Sequence, residues 1–485
     1  MQRSVSFRHV LALALFAVAA VVVPVATSST PASAACTWCA GGEYHPRAPE
    51  RIFDTRTTWG IVPINDVEPF GAKPLRTASP TVDPTFDIQV LGLGGVPPDG
   101  PDVLAVAVSI TVIQPTQTGF LGAYATGSPS LNSVVNFGFG QTVPNLTIVR
   151  PGNNGKVTIQ LHGSAAGTAH VAVDVFGWWS TSGYAATGTV DDGDERGARL
   201  EVPATPGRII DTRDVNSPMG TPGSKPGDPM GPSEYLAVQI RGAKVLGTNT
   251  TIVPNSPDVV GVLLNVTAVL PTTTTFMSLV PEAITPMPTT SNLNLVPGQT
   301  KANLVIVPVG SDGKVHVFNA KGYTDVAIDV MGVLVDGRSE STRFGRVVPL
   351  TAPFRVFDTR EAAFGAVPLG PGQAEDWSFS SFSASVNVGG TSVGKQAALI
   401  GNLTGSRLTR QYPSVAVTPS FLTACPGTCP LAKNKPTYSN LNSVENGVVA
   451  NLALVPYGPN YTVRVFNARG YAHYHLDVSA VVLAD

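Results

Sequence analysis

The sequence predicts an all-β protein: three tandem β-sandwich domains of jelly-roll or immunoglobulin-like type, with almost no helix after an N-terminal leader. Three observations predict it. One phrase occurs three times, as RIFDTR (51–56), RIIDTR (208–213) and RVFDTR (355–360). Each phrase is followed by short runs rich in Val, Ile and Thr, bounded by the Pro, Gly, Asn and Ser that punctuate strands. No stretch carries the helical apolar period together with capping residues.

The chain opens with Arg3, Arg8 and His9, an apolar run over 10–25, and Ala32-Ser33-Ala34. A basic start, a short apolar stretch and a small-x-small site read as a secretory signal peptide over 1–34, removed on export. The run is short for a bilayer span, which takes about 20 residues. Later apolar runs, such as VVGVLLNVTAVL from Val259, are shorter still and carry polar residues. The expected product is secreted to the extracellular space or cell surface and is not transmembrane after cleavage.

With 485 residues the chain has room for about three domains. Only 13% of residues are charged and the net charge is −2, with no basic stripe, so no nucleic-acid partner is expected. A hydrophobic content of 43% supports real cores.

The three copies are collinear beyond the opening phrase. A long apolar strand ends in a polar triplet: AVAVSIT with Ser109 and Thr111, VLLNVT with Asn265 and Thr267, ALIGNLT with Asn402 and Thr404. A Ser-x-x-Asn step follows, Ser133 to Asn136, Ser291 to Asn294 and Ser439 to Asn442. At an invariant spacing from those serines stand Asn145, Asn303 and Asn451, each heading another apolar run. Each copy closes on an aspartate in a strand: Asp174, Asp329 and Asp477. The expected domains are 35–179, 200–335 and 347–485, joined by polar linkers at 180–199 and 336–346. A unit of this length is too long for a solenoid turn, so each copy is expected to fold on its own core. About eight short strands per copy suit a two-sheet sandwich, with a closed barrel second.

The DTR phrase, the N-V-T strand, the S-N-L-N step, the Gln299-Thr300…Ala302-Asn303 run and the closing D-V-x-G together resemble a repeat of secreted actinobacterial proteins. That repeat stands in strings or beside cell-wall hydrolase domains of the muramoyl-alanine amidase type. The resemblance covers nearly all of the chain after the leader. It implies secretion and a surface or wall setting, and it supplies no catalytic residue. Copy 1 departs at Ser109 and in QLHGSAAGTAH; copy 3 has Ala480 where the others close on Gly.

Asp54 with Arg56, Asp211 with Arg213 and Asp358 with Arg360 are two apart and share a strand face. Two roles are open to them. In one, the Asp caps a turn and the Arg fork satisfies backbone carbonyls or the closing Asp174, Asp329 or Asp477, because a buried charge needs a partner. In the other, they line a groove for a glycan or carboxylate. The first is preferred, since polar residues recurring in apolar strands usually belong to satisfied networks. Asn265, Asn402, Asn303 and Asn451 are expected to bond neighbouring backbone. The sequons at Asn265 and Asn402 are read as fold positions.

Cys36 and Cys39 form one close pair and Cys425 and Cys429 another. Export favours disulfides; four cysteines allow three pairings, and local pairing is the first choice. The histidines do not recur at matched positions, and His473 and His475 are read as packing residues with no metal expected. No cofactor and no catalytic motif is visible. Trp59, Trp178, Trp179 and Trp377 are candidate sugar platforms. The leading expectation is a non-catalytic exported protein of adhesion or wall association, with cell-wall polysaccharide or another surface glycan or protein as partner. A spacer or self-assembly unit is the alternative, and an amidase-type peptidoglycan hydrolase a remote third.

Overall fold

The computed structural model describes residues 2–4, 41–56, 75–76, 84–98, 102–163, 167–181, 197–217, 227–336, 343–388, 390–407, 419–427, 429, 431–432, 435–443 and 447–484. The rest of the leader, Cys36, Cys39 and Trp59 lie outside the described residues. Gln2–Ser4 pair in parallel with 376–378.

Each copy has eight principal strands. In copy 1 they are Tyr44–Asp54, Thr85–Gln89, Val103–Ile113, Gly119–Ala125, Val135–Phe137, Thr142–Val149, Lys156–Gly163 and Thr168–Ser180. The first, eighth, third and sixth strands form one sheet, in that order; the second, seventh, fourth and fifth form the other. Copy 2 repeats this order, with its first strand split into Ala198–Glu201 and Gly207–Asp211, and copy 3 repeats it from Val347–Asp358. This double-sheet order is a jelly roll. The all-β sandwich expectation holds, and the barrel alternative does not. Among the described residues the one α-helix is the short Ser380–Ser385.

The third strand explains why its sequence is a continuous apolar run. Val106, Val108, Ile110 and Val112 face the sandwich of copy 1. Ala105 and Ala107, on the opposite face, enter a second core shared with Leu263, Ile306 and Leu334 of copy 2 and Ile400, Leu454 and Val482 of copy 3. Period-two alternation gives no polar face when both faces are buried. The expectation that each copy folds on its own core is therefore corrected. Copies 1 and 3 have private sandwich cores, but the inner sheets of all three press together into one body.

The expected linkers take part in this joint. Ala198 pairs with Tyr44, which makes the inner sheets of copies 1 and 2 continuous. Val347 and Gly42 exchange backbone hydrogen bonds, and Leu200 N–H donates to Gly345 O (2.8 Å). The leads of the three copies thus meet pairwise. Glu43, Arg199 and Arg346 stand at matching places in those leads, all buried, with Glu43 ion-paired to Arg199 (3.5 Å) and accepting a hydrogen bond from Arg346 (3.1 Å). Cys425 and Cys429 form a local disulfide, as expected, with Cα atoms 5.3 Å apart.

Candidate functional site

The repeated phrase is a four-part clamp. In copy 1 the Arg51 guanidinium donates to both oxygens of Asp174 (Nε 2.8 Å, Nη2 3.1 Å) and to Asp54 (3.1 Å). Asp54 in turn accepts from the Arg56 backbone N–H (2.9 Å), Nε (3.0 Å) and Nη2 (2.7 Å). Thr55 stitches the turn to the closing strand: its N–H donates to Val171 O (3.0 Å) and its Oγ1 accepts from Val171 N–H (2.9 Å). Copies 2 and 3 repeat every part, with Arg208, Asp211, Arg213 and Asp329, and with Arg355, Asp358, Arg360 and Asp477. Thr212 and Thr359 bond Val326 and Tyr474 in the same way.

This corrects one assignment. The closing aspartate is gripped by the first arginine of the phrase, not the last. A register shift between Arg51 and Phe53 places Arg51 opposite Asp174 across the ladder, and the same shift recurs at Arg208 and Arg355. Arg51, Arg208 and Arg355 repeat as faithfully as the other letters, so the signal was present. What hid their role was the bulge, which upsets the simple two-residue face rule.

Burial and charge divide the aspartates. Burial pushes Asp54 and Asp211 up, but the hydrogen bonds from Arg56 and Arg213 outweigh it and hold both below the usual carboxylate range. In copy 3 the same balance brings Asp358 down to about 2. Asp174 and Asp329 are almost wholly buried, and burial raises them despite their arginine partners. His475, buried beside Arg355, is pushed down to about 4.

The asparagines join one copy to the next. Asn145 donates to Val134 O within copy 1 (2.7 Å), and its Oδ1 accepts Leu452 N–H from copy 3 (3.1 Å). Asn451 donates to Asn440 O (2.6 Å), and its Oδ1 accepts Leu304 N–H from copy 2 (3.0 Å). Asn303 donates to Asn292 O (2.7 Å). These residues lie on the sixth strands, the free edges of the inner sheets. An unpaired edge exposes backbone donors and acceptors. Here the three edges converge and side-chain amides satisfy them. A second set reinforces the first: Asn265 donates to Ser439 O of copy 3 (2.7 Å), and Asn402 to Ser133 O and Val134 O of copy 1. Both are buried, as fold positions and not exposed sequons. The pattern is cyclic, copy 1 on copy 3, copy 3 on copy 2, so the chain is arranged about a pseudo-threefold axis.

Where the sixth strands converge, an open-mouthed cavity of about 780 Å³ is lined by all three copies. Asn136, Asn294 and Asn442 line it at equivalent places, each bonded to the serine three residues before (2.6, 2.9 and 3.1 Å). Val143, Lys301 and Val449 form a second equivalent set. Gln141, Gln299, Phe120, Phe137 and Leu295 complete the walls near them. The cavity extends along the seam between copies 1 and 3 to Arg355, Arg360 and His475. Of the residues singled out in the sequence, Arg360 alone among the six DTR positions reaches it.

Three further expectations are settled by placement. Trp178, Trp179 and Trp377 are buried, not exposed platforms: Trp178 stacks on His45 (4.0 Å), Trp179 packs on Tyr44 (4.6 Å) and Trp377 donates to Tyr474 Oη (2.9 Å). Two histidines do recur: His170 and His473 sit four residues before the closing aspartate and bond Thr55 and Thr359 (both 3.1 Å). Asp325 takes that place in copy 2, on Thr212 (2.7 Å). His473 and His475 are both buried packing residues.

No family model and no curated protein matches the chain. Among solved structures it is similar to a chain from a structure of the triple jelly-roll fold and turret assembly in an archaeal virus (10% identity, 91% of each chain, TM-score 0.16). It is also similar to a protein of Sulfolobus turreted icosahedral virus (10% identity, 92% of each chain, TM-score 0.16). A third is the tandem CBM22-1-CBM22-2 domain of Paenibacillus barcinonensis Xyn10C (12% identity, 54% of this chain and 84% of that one, TM-score 0.14). Scores this low carry no argument about this chain; its fold rests on its own sheets.

Proposed function

We propose that the chain is an exported, non-catalytic β-repeat protein of the cell surface or extracellular space that associates with cell-wall polysaccharide or another glycan. The axial cavity carries this reading. Its volume lies in the range of small-ligand sites. Its lining mixes carboxamides and hydroxyls with aromatic and aliphatic walls, the chemistry that suits a hydroxylated ring with one apolar face. Secretion rests on the leader, and the wall setting on the repeat resemblance. Because the copies are fused through a shared core, they present one composite site and not three separate ones.

That fusion favours a second reading, a rigid spacer or assembly block, since a shared core and clamped edges make one stiff body. The deciding experiment is a pull-down of residues 35–485 on insoluble peptidoglycan, chitin, cellulose and whole cells, with soluble products assayed alongside. Retention without products supports association. No retention on any surface leaves the spacer. Release of soluble wall fragments overturns both in favour of a hydrolase.

A further inference from the structure

The pseudo-threefold symmetry makes one residue stand out. At the position where copies 1 and 3 place Val143 and Val449, copy 2 places Lys301. The fold has no need of a cation there, because valine serves in two of three equivalent environments. Lys301 is buried, and its Nζ donates to the Asn294 carbonyl (3.3 Å). No carboxylate lines the cavity among the described residues. The other cations on its wall, Arg355 and Arg360, are already held by Asp477 and Asp358. Among the described residues it has no carboxylate partner; a buried ammonium without a counter-ion is costly, and burial lowers this one to about 8. A cost confined to a cavity wall is what a ligand anion would offset.

The neighbouring amides are set for the same ligand. Asn136 and Asn294, both lining the cavity, each donate one N–H to a serine hydroxyl, which leaves the side-chain oxygen and a second N–H for a ligand. Gln141 and Gln299 use Oε1 to accept the N–H of Gly138 (2.8 Å) and Val296 (3.3 Å), so their amide nitrogens remain as donors.

We propose that the axial cavity binds a saccharide bearing a carboxylate, and that Lys301 is the residue that selects the acid over its neutral counterpart. The proposal rests on the glycan reading above and names the ligand class for that same site.

The test is calorimetric titration of residues 35–485 with oligogalacturonate, with neutral galactose oligomers of equal length, and with acetate. The acid is expected to bind saturably at neutral pH, at least tenfold tighter than the neutral oligomer, and acetate not at all. Affinity for the acid should fall as pH rises through about 8; His475, the other titrating group on the wall, is depressed to about 4 and is silent there. Lys301→Val, the residue of the other copies, should lose the preference for acid by tenfold or more while its melting temperature does not fall. Lys301→Arg should keep much of the preference. Equal binding of acid and neutral oligomers, or a preference that survives Lys301→Val, overturns the proposal. Retention on polysaccharide without acid preference overturns it and leaves the association reading standing. Absence of binding to every oligomer and every surface overturns both.

Discussion

Two of the three seams between copies are latched by an asparagine on the third strand, and one is not. Asn402 crosses to copy 1 and Asn265 crosses to copy 3, each onto a serine carbonyl. The corresponding place in copy 1 is Ser109, whose shorter side chain shares the strand face of Ala105 and Ala107 that enters the core common to the three copies. The edge-strand asparagines follow the same division. Asn145 and Asn451 accept backbone N–H groups of copies 3 and 2, whereas Asn303 bonds within its own copy. The clamps inside the copies show no such difference. The comparison separates interactions that make a jelly roll, present three times, from interactions that make the assembly, fully present twice.

The largest effect is expected from breaking a clamp. Arg208→Ala leaves Asp329 buried without its bidentate partner, a situation that costs about 3–5 kcal/mol. Since the copies share a core, the loss should appear in a single cooperative melt of the whole chain. An early separate transition confined to copy 2 would show that the shared core does not couple them.

Acid should distinguish copy 3 next. His475 occupies a place that is Ala172 in copy 1 and Ala327 in copy 2. Its folded value of about 4 lies below the ordinary 6.5, so the fold favours the neutral ring. That contribution is whole above about pH 6.5 and is lost as pH falls toward 4, amounting to ~3 kcal/mol. Asp358 then adds its own loss between its ordinary 3.8 and about 2. Urea titrations between pH 7 and 4 should show a decline that His475→Ala flattens. An equal slope in the variant would refute the assignment.

Much of this was legible in the sequence. The three copies, the eight strands, the two-sheet sandwich class and the clamp residues Asp54, Arg56 and Asp174 with their counterparts all follow from period, punctuation and repetition, whereas the choice of jelly roll over immunoglobulin-like order needed the strand pairing. The role of Arg51 was masked by a bulge, which spacing alone does not reveal. The partners of Asn145 and Asn451 were hidden for a different reason: each lies in another copy, so no local pattern points to it. The invariant Ser-to-Asn spacing was the trace they left, because Asn145 must reach both Val134 beside Ser133 and the next copy's edge. Lys301 becomes conspicuous only once the axis shows that Val143 and Val449 are its equivalents.

The latches offer the finer tests. Asn265→Ala strips a buried donor from the Ser439 carbonyl and should cost ~1–3 kcal/mol, whereas Ser109→Ala should cost well under that, since no crossing bond depends on it. Equal losses would mean that the two kinds of seam are energetically alike and that the asparagines only set register.

The smallest effect, and the sharpest, is expected from Ser109→Asn. It places on copy 1 the side chain that copies 2 and 3 already use, opposite the segment of copy 2 that matches Ser133 and Ser439. If the latch is a property of the position, the variant should gain ~1 kcal/mol in urea unfolding, the usual net worth of one buried hydrogen bond. The gain should vanish in Ser109→Asp, which has the same size but no amide donor. A loss in the asparagine variant would show that the third seam has settled into a closer packing around serine, so that its asymmetry belongs to the fold and not to a missing bond.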